Sequence, residues 1–445
     1  MGFRTRALAV VLLVVAGSTG LVAPAARARA EARPETRPRP GPVARWASER
    51  AVPLATVDPA ASLDDLAPLR RSIGDAEIVG LGESVHGAAE EITLKHRVLR
   101  LLVEEMGYRS IAWEEDWATG RKIDAYIRGG AGDADALVTQ MSPQWPSREV
   151  ADVLRWLREF NTGRTDQVRF VGVEYYLTGQ GAYDAVDDHV ARTAPDRLAE
   201  LRTSLQLVRP ATPDVFAHIQ WYTCVRDKQP FIRAAREVLA LVAGLPHAPG
   251  DRAHELIVQQ ARQIVWFYVH FSLTDAEALV YRDARAAENL RWWRGFTGDK
   301  IAYWAASPHT ANAPQLRIAD PPEPAMRFAS AGSYLRRWYG HRYRSIGFTF
   351  DHGTVRLGPG AAETASLAPP RPGWFEQPFG AVGLDQFALD LRRRAPSPVR
   401  RWLGSPITTR GLPDGGPSAH MAGGTLSQWF DVIVHRQEIS PARPV

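Results

Sequence analysis

Short apolar runs bounded by glycine or charged residues, alternating with long helical patterns, constrain this chain more than any other feature it has. The runs are Ala76–Leu81, Arg109–Trp113, Val168–Val173, Lys300–Trp304, Tyr343–Phe350 and, at the end of the chain, Trp429–His435. Such alternation predicts an α/β fold, with a mainly parallel central sheet flanked by crossover helices. Between the first two runs, Ile92, Leu94, Val98, Leu99, Leu102 and Met106 recur at helical spacing, which predicts a helix from about Ala88 to Met106. Gly107 is placed to stop it. From about residue 183 to 290 the pattern is almost wholly helical: Leu198–Leu207, Thr212–His218, Pro230–Leu241, Arg252–Phe271 and Asp275–Trp293. A helical block of that length between strands reads as an insertion standing over one edge of the sheet, where it forms a wall of the active-site cleft.

The N-terminus is organised differently. Arg4 and Arg6 precede an apolar run from Ala7 to Val15, and small-residue sites follow at Ala23-Pro24-Ala25 and Ala26-Arg27-Ala28. This is the tripartite pattern of a secretory signal over residues 1–30, cleaved between Ala25 and Ala30. The alternative is an uncleaved anchor, against which the run counts by being shorter than the ~20 apolar residues of a membrane span; no later stretch supplies one. Residues 31–45 are Pro-rich and read as an extended linker, so the folded part is expected over 46–445. The product is expected to be secreted or associated with the cell envelope.

The formal charge of +5 resides in residues 1–40, which hold seven Arg and two Glu. The remainder is balanced, which removes the cationic surface that nucleic-acid binding requires. Cys224 is the only cysteine, so no intramolecular disulfide forms, and it reads as a small helical residue rather than a nucleophile.

Ligands of open α/β sheets bind beyond the carboxyl ends of the strands, and three strand-to-helix loops there carry chemistry. The first, Gly82-Glu83-Ser84-Val85-His86-Gly87, sets a carboxylate three residues from an imidazole. Such a carboxylate holds the ring in one tautomer and stabilises its charged form, as a general base that activates water requires. A helix start with a capping histidine accounts for the same residues equally well. The second loop runs into Glu114-Glu115-Asp116. Glu114, first past the strand, is the candidate for the cleft, while Glu115 and Asp116 suit a helix N-terminus. The third, Ala306-Ser307-Pro308-His309, offers His309, as a partner of His86 or as surface decoration.

Familiar alternatives fail. No G-x-S-x-G surrounds a serine, His254-Glu255 lacks the second histidine of a zincin, and no phosphate-binding loop occurs. Glu83, His86, Glu114 and His309 are competent metal ligands, but no recognised spacing supports a metal. No cofactor or metal is assigned. Trp113, Trp117, Trp145 and Trp156 are either cleft aromatics or core residues.

These loops resemble the signatures of the erythromycin esterase family. Leu81–Gly87 with Leu94-Lys95-His96-Arg97 and Leu102–Tyr108 is similar to the family's first signature. Arg282-Asp283 with Ala287–Trp292 resembles the helix before its histidine loop. Gly332–Leu335, Ile346–Phe350, Phe430–Ile433 and Ser440–Pro444 continue the likeness in order. The resemblance implies an α/β core with a helical insert and metal-independent hydrolysis, on macrolide lactones in the resistance members, with a histidine base and no covalent intermediate. It assigns His86 as the base, Glu83 as its partner, Glu114 as a second cleft carboxylate and His309 as the second histidine of a His-Asn-x-His loop. Lys95 and Arg97 lie on the adjoining helix, either at the site or as solvated charge. Where the family has the first histidine and the asparagine, this chain has Ala306 and Ser307.

Three functional classes follow: a hydrolase using a His/Glu-activated water on an amphipathic lactone or ester; a secondary-metabolite tailoring enzyme using the same base for cyclisation or elimination; and a non-catalytic small-molecule binder.

Overall fold

The structure, a computed structural model, describes residues 41–321, 324–357, 364–411 and 418–445. The expected signal peptide, and the expected linker as far as residue 40, lie outside them. The rest of that linker is not extended. Pro42–Arg50 is a helix, with Pro42 in its first turn, where the missing donor costs nothing and the fixed φ fits. Ala44, Trp46 and Ala47 are buried on it, so one packed face outweighs the composition that suggested an open chain.

Thirteen strands are described, in chain order: β1 (Val52–Pro53), β2 (Ile78–Glu83), β3 (Tyr108–Asp116), β4 (Arg169–Glu174), β5 (Lys300–Ala306), β6 (Leu316–Ala319), β7 (Met326–Phe328), β8 (Tyr343–Arg356), β9 (Thr364–Leu367), β10 (Gln386–Asp390), β11 (Pro406–Arg410), β12 (His420–Thr425) and β13 (Val432–Ile439). The main sheet has the order β1-β10-β13-β8-β2-β5-β3-β4, with β9 paired to β8. From β13 to β4 every neighbouring pair is parallel. β10 and β9 pair antiparallel with their neighbours. All six apolar runs are strands of this sheet. Full burial of β2 along its length is what a strand covered on both faces requires, and explains its unbroken apolar run.

One face of the sheet is covered by Ala89–Glu105 and Arg148–Asn161, the other by Asp275–Thr297 and Ala331–Tyr339. Ala89–Glu105 ends as expected, with Gly107 at φ 72° beyond it. Between β4 and β5 the chain is helical throughout, from Gln180–Thr193 to Asp275–Thr297. These helices bury their own aromatic cluster, including Tyr183, Tyr222, Phe267 and Tyr268. A second sheet, β11-β12-β6-β7, was not foreseen. Its strands have only three to six residues.

The chain leaves β2 for β3, continues to β4, and returns through the helical insertion to β5, between β2 and β3. That reversal opens a crevice at the carboxyl ends of β2, β5, β3 and β4.

Candidate active site

β2 delivers Glu83 as its last residue, and the turn that follows brings His86 back onto it. The His86 Nδ1–H donates to Glu83 Oε1 at 2.5 Å, and Lys95 Nζ donates to Glu83 Oε2 at 2.7 Å. Glu83 and Lys95 are almost wholly buried, whereas the His86 side chain keeps 20% exposure. Burial opposes ionisation of Glu83, but Lys95 and His86 outweigh it and hold the carboxyl below its ordinary range. The result is a fixed carboxylate behind an imidazole whose Nε2 has no hydrogen-bond partner among the described residues. The capping role is excluded, because the helix beyond the turn has no side-chain cap. Arg97 lies elsewhere, paired with Asp65 at 2.6 Å.

The turn is held from three sides. Glu91 accepts from Ser84 Oγ at 2.6 Å and from the Ser84 and Val85 amides. Ala442 N donates to Gly87 O, and Ser440 donates to Glu90 through its amide and hydroxyl. Ser440 and Ala442 therefore staple the turn that carries His86. Gly82 is required by close approach: a Cβ there would lie 2.3 Å from Thr310 Oγ1. Gly87 sits at φ 78°, and a Cβ would lie 2.2 Å from the Arg356 carbonyl oxygen. Gly87→Ala is therefore expected to lower the unfolding free energy by about 1–3 kcal/mol. Urea denaturation measures it; an unchanged midpoint would refute this reading of the turn.

β3 carries Glu114 and Glu115 on opposite faces, beside a register shift against β4 between Trp113 and Asp116. Glu114 faces the crevice. Its Oε1 accepts from Arg282 Nη2 at 2.8 Å and lies 3.3 Å from His309 Nε2; its Oε2 accepts from the Ala306 amide at 2.9 Å. Burial again opposes ionisation, but His309 and Arg282 hold the Glu114 carboxyl well below its ordinary value. Glu115 turns away and accepts from Ser142, so it is not the helix-terminal charge expected of it. Asp116 is, accepting from the Ala118 and Thr119 amides.

His309 lies on the short turn Ser307–Thr310 beyond β5 and is buried, not surface decoration. Its Nδ1 lies 3.0 Å from Asp283 Oδ1, and Asp283 is itself held by the Ala331 amide. Burial favours the neutral ring, yet Asp283 and Glu114 together raise its pKa to about 10. His309 is thus an imidazolium at neutral pH. Because the folded value exceeds the ordinary 6.5, its contribution to stability is complete below about pH 6.5 and is lost as pH rises through about 10. Unfolding free energy measured between pH 6 and pH 10 should fall less in His309→Gln than in wild type; equal slopes would contradict the assignment.

His86, Glu114, Arg282, Ala306 and His309 line one cavity of about 290 Å³. Glu83 stands behind His86, out of the lining. The insertion supplies Tyr176, Phe271, Leu273 and Leu279, and the second sheet supplies Ile318, Met326 and Phe328. None of the four tryptophans considered from the sequence lines it. Trp113, Trp117 and Trp145 are buried, and Trp156 packs against the core. Trp145 still bears on the site, its ring set edge-on to His86 at 5.0 Å and its Nε1 donating to the Glu114 carbonyl.

Reasoning from the sequence missed Glu174, the last residue of β4, which accepts from Arg282 Nε at 3.1 Å. Its position at the end of a strand is the same signal that pointed to Glu114. Arg282 and Asp283 had been noted only as part of a resemblance. Among the described residues, no group of three or more His, Cys, Asp or Glu has metal-binding geometry.

Comparison with known proteins adds the following. The erythromycin esterase family profile matches residues 103–439, a span that begins after the Gly82–His86 loop. Erythromycin esterase type II of Escherichia coli is 31% identical over 138 residues, covering 31% of this chain and 32% of that protein. The chain thus matches about a third of that relative's length. A crystal structure of a Bacillus cereus protein is similar with TM-score 0.79 at 26% identity, covering 91% of this chain and 98% of that one. A succinoglycan biosynthesis protein is similar with TM-score 0.76 at 26% identity, covering 90% and 97%. A mutant of the erythromycin esterase EreC in its open conformation shares the fold, with TM-score 0.67 at 15% identity over 88% and 98%.

Proposed function

The chain belongs to the erythromycin esterase family, and from that premise we propose that it is an exported hydrolase in which His86 and Glu83 activate a water to open a lactone or ester of a natural product. Family membership supports a hydrolase of this kind acting on a small molecule. The observation that carries the finer reading is the His86–Glu83 pair, with Nδ1 tied to a buried carboxylate and the ring lining the cavity. His86 takes a proton from water as the oxygen adds to the substrate carbonyl carbon. Negative charge then develops on the carbonyl oxygen, and the His309 imidazolium in the cavity wall offsets it. Collapse breaks the bond to the leaving alkoxide, which His86 reprotonates, leaving an acid and an alcohol. Export rests on the N-terminal sequence alone. No described helix is long and apolar enough to cross a membrane.

Two features bear on the substrate. The cavity lies at the small end of ligand sites, roughly 300–1,000 Å³, which favours a compact, partly apolar lactone or ester. Ala306 stands where resistance members carry an imidazole, so a group that would help place water is missing. That absence favours, as a second reading, cyclisation or elimination with the same base, in which no water adds.

Incubation of the protein with a panel of lactones and esters, followed by mass spectrometry, separates the readings. A product heavier by one water supports hydrolysis, and an isomeric product supports cyclisation. Recovery of every substrate unchanged, across macrolide and compact members, would overturn both.

A further inference from the structure

A second cavity lies where the helices Trp117–Ile127, Gln180–Thr193 and Arg252–His270 meet. It has a volume of about 460 Å³ and shares no lining residue with the catalytic cavity. Its lining divides by chemistry. Trp117, Ala185, Leu256 and Ile257 supply apolar surface, while Arg121, Lys122 and Arg192 supply positive charge. No carboxylate lines it among the described residues.

The cations are only partly satisfied by the protein. Arg121 reaches Asp124 at 3.3 Å, and Lys122 meets, among the described residues, only the neutral Gln140 side chain at 3.2 Å. Arg192 makes no ion pair and no side-chain hydrogen bond among the described residues. Two further groups in the lining add hydrogen-bonding capacity. His189 is 6% exposed, and Gln260 is 4% exposed with its Nε2 buried and without a partner. The Gln260 Nε2 is closed off from the cavity as it stands, so a bound acceptor would satisfy it only after the amide turns. The acidic groups that act on these residues, Asp116 on Lys122 and Asp251 on His189, lie outside the lining.

We propose that this three-helix cavity binds a small amphipathic anion, a phosphate or sulfate ester carrying a short apolar body. The guanidinium of Arg192 and the ammonium of Lys122 meet the charged head, with fork geometry suited to a tetrahedral oxyanion at the arginine. Gln260 donates to the same head once its amide turns toward the cavity. The apolar body lies along Leu256 and Ile257 and is removed from water there. A free inorganic anion satisfies the cations and leaves the apolar surface unused, which sets the expected ranking of ligands.

Isothermal titration calorimetry at low ionic strength, with hexyl phosphate, inorganic phosphate and hexanol as probes, tests this on the intact chain. Hexyl phosphate should bind saturably, one per chain, about tenfold or more tighter than inorganic phosphate, and hexanol should show no saturable binding. Arg192→Glu should weaken hexyl phosphate by roughly tenfold or more. Ile257→Ser should weaken hexyl phosphate while leaving inorganic phosphate within about twofold, a contrast that general loss of folding would not produce. The proposal fails if hexyl phosphate does not saturate, if inorganic phosphate or hexanol binds as tightly, or if Arg192→Glu binds like wild type. The readout does not depend on hydrolysis, so its failure leaves the reading of the catalytic site untouched.

Discussion

Replacing His86 with alanine is expected to lower kcat by about a hundredfold to ten-thousandfold on any lactone or ester the wild-type protein turns over, which is the range for loss of a positioned general base. The size of the effect follows from what else faces the cavity. Glu114 is saturated, with donors from Arg282 and Ala306 and with His309 against it, and is held ionised at low proton affinity. His309 is already protonated between Asp283 and Glu114, so it cannot take a proton from water near neutrality. Of the three groups His86, Glu114 and His309, His86 is thus the one left to do so. The fold should tolerate the change, because the side chain is 20% exposed and the carboxylate behind it keeps Lys95. Steady-state kinetics with unchanged circular dichroism is the required measurement; a kcat within a fewfold of wild type would remove His86 from the chemistry. Glu83→Gln should give a smaller loss, since an amide still accepts from Nδ1 but no longer stabilises the imidazolium formed during the reaction.

Much of the site was readable because it follows a local rule. An unbroken apolar run with a polar residue just after it marks a buried parallel strand near its carboxyl end; Glu114 follows its run directly and Glu83 follows one residue later. The same rule points to Glu174, directly after the run Val168–Val173, but that loop carries a single carboxylate and was not singled out. Arg282 and Asp283 obey no local rule. They lie within a helix of the insertion, and their meaning comes from carboxylates and an imidazole at positions 114, 174 and 309, which only the return of the chain to β5 brings together. Lys95 was ambiguous for a related reason: helical spacing fixes its face but not the carboxylate that face meets. The second sheet escaped notice because strands of three to six residues leave too short a pattern. The two turns at the site show how tertiary contact overrides composition. Gly82 reads as loop chemistry yet is fixed by Thr310, more than two hundred residues away.

The arginine that joins the insertion to the sheet should be a sensitive position for stability. Arg282 spans Glu114 and Glu174, donating at 2.8 Å and 3.1 Å, and stacks over Tyr176 at 4.8 Å. Methionine would keep much of its apolar stem and remove the charge, leaving two buried carboxylates short of a cation. Removing one partner from a buried network costs about 3–5 kcal/mol, and the lower end applies here because the arginine retains 18% exposure. The loss should depend on pH in a definite sense. Burial already raises the Glu174 carboxyl above its ordinary value despite the arginine beside it, and without that cation it rises further. A carboxyl raised in the folded state favours folding when protonated and opposes it when ionised, so the deficit of Arg282→Met relative to wild type should be larger at pH 8 than at pH 5. Chemical denaturation at the two pH values measures both deficits. Equal deficits would mean that the arginine acts through packing on Tyr176 rather than through its charge, and no deficit at either pH would mean that the carboxylates find other partners. His309 should stay charged in the variant, because Arg282 lowers its proton affinity while Asp283 and Glu114 raise it, so a loss of activity would report disorder of the cavity wall and not loss of the imidazolium.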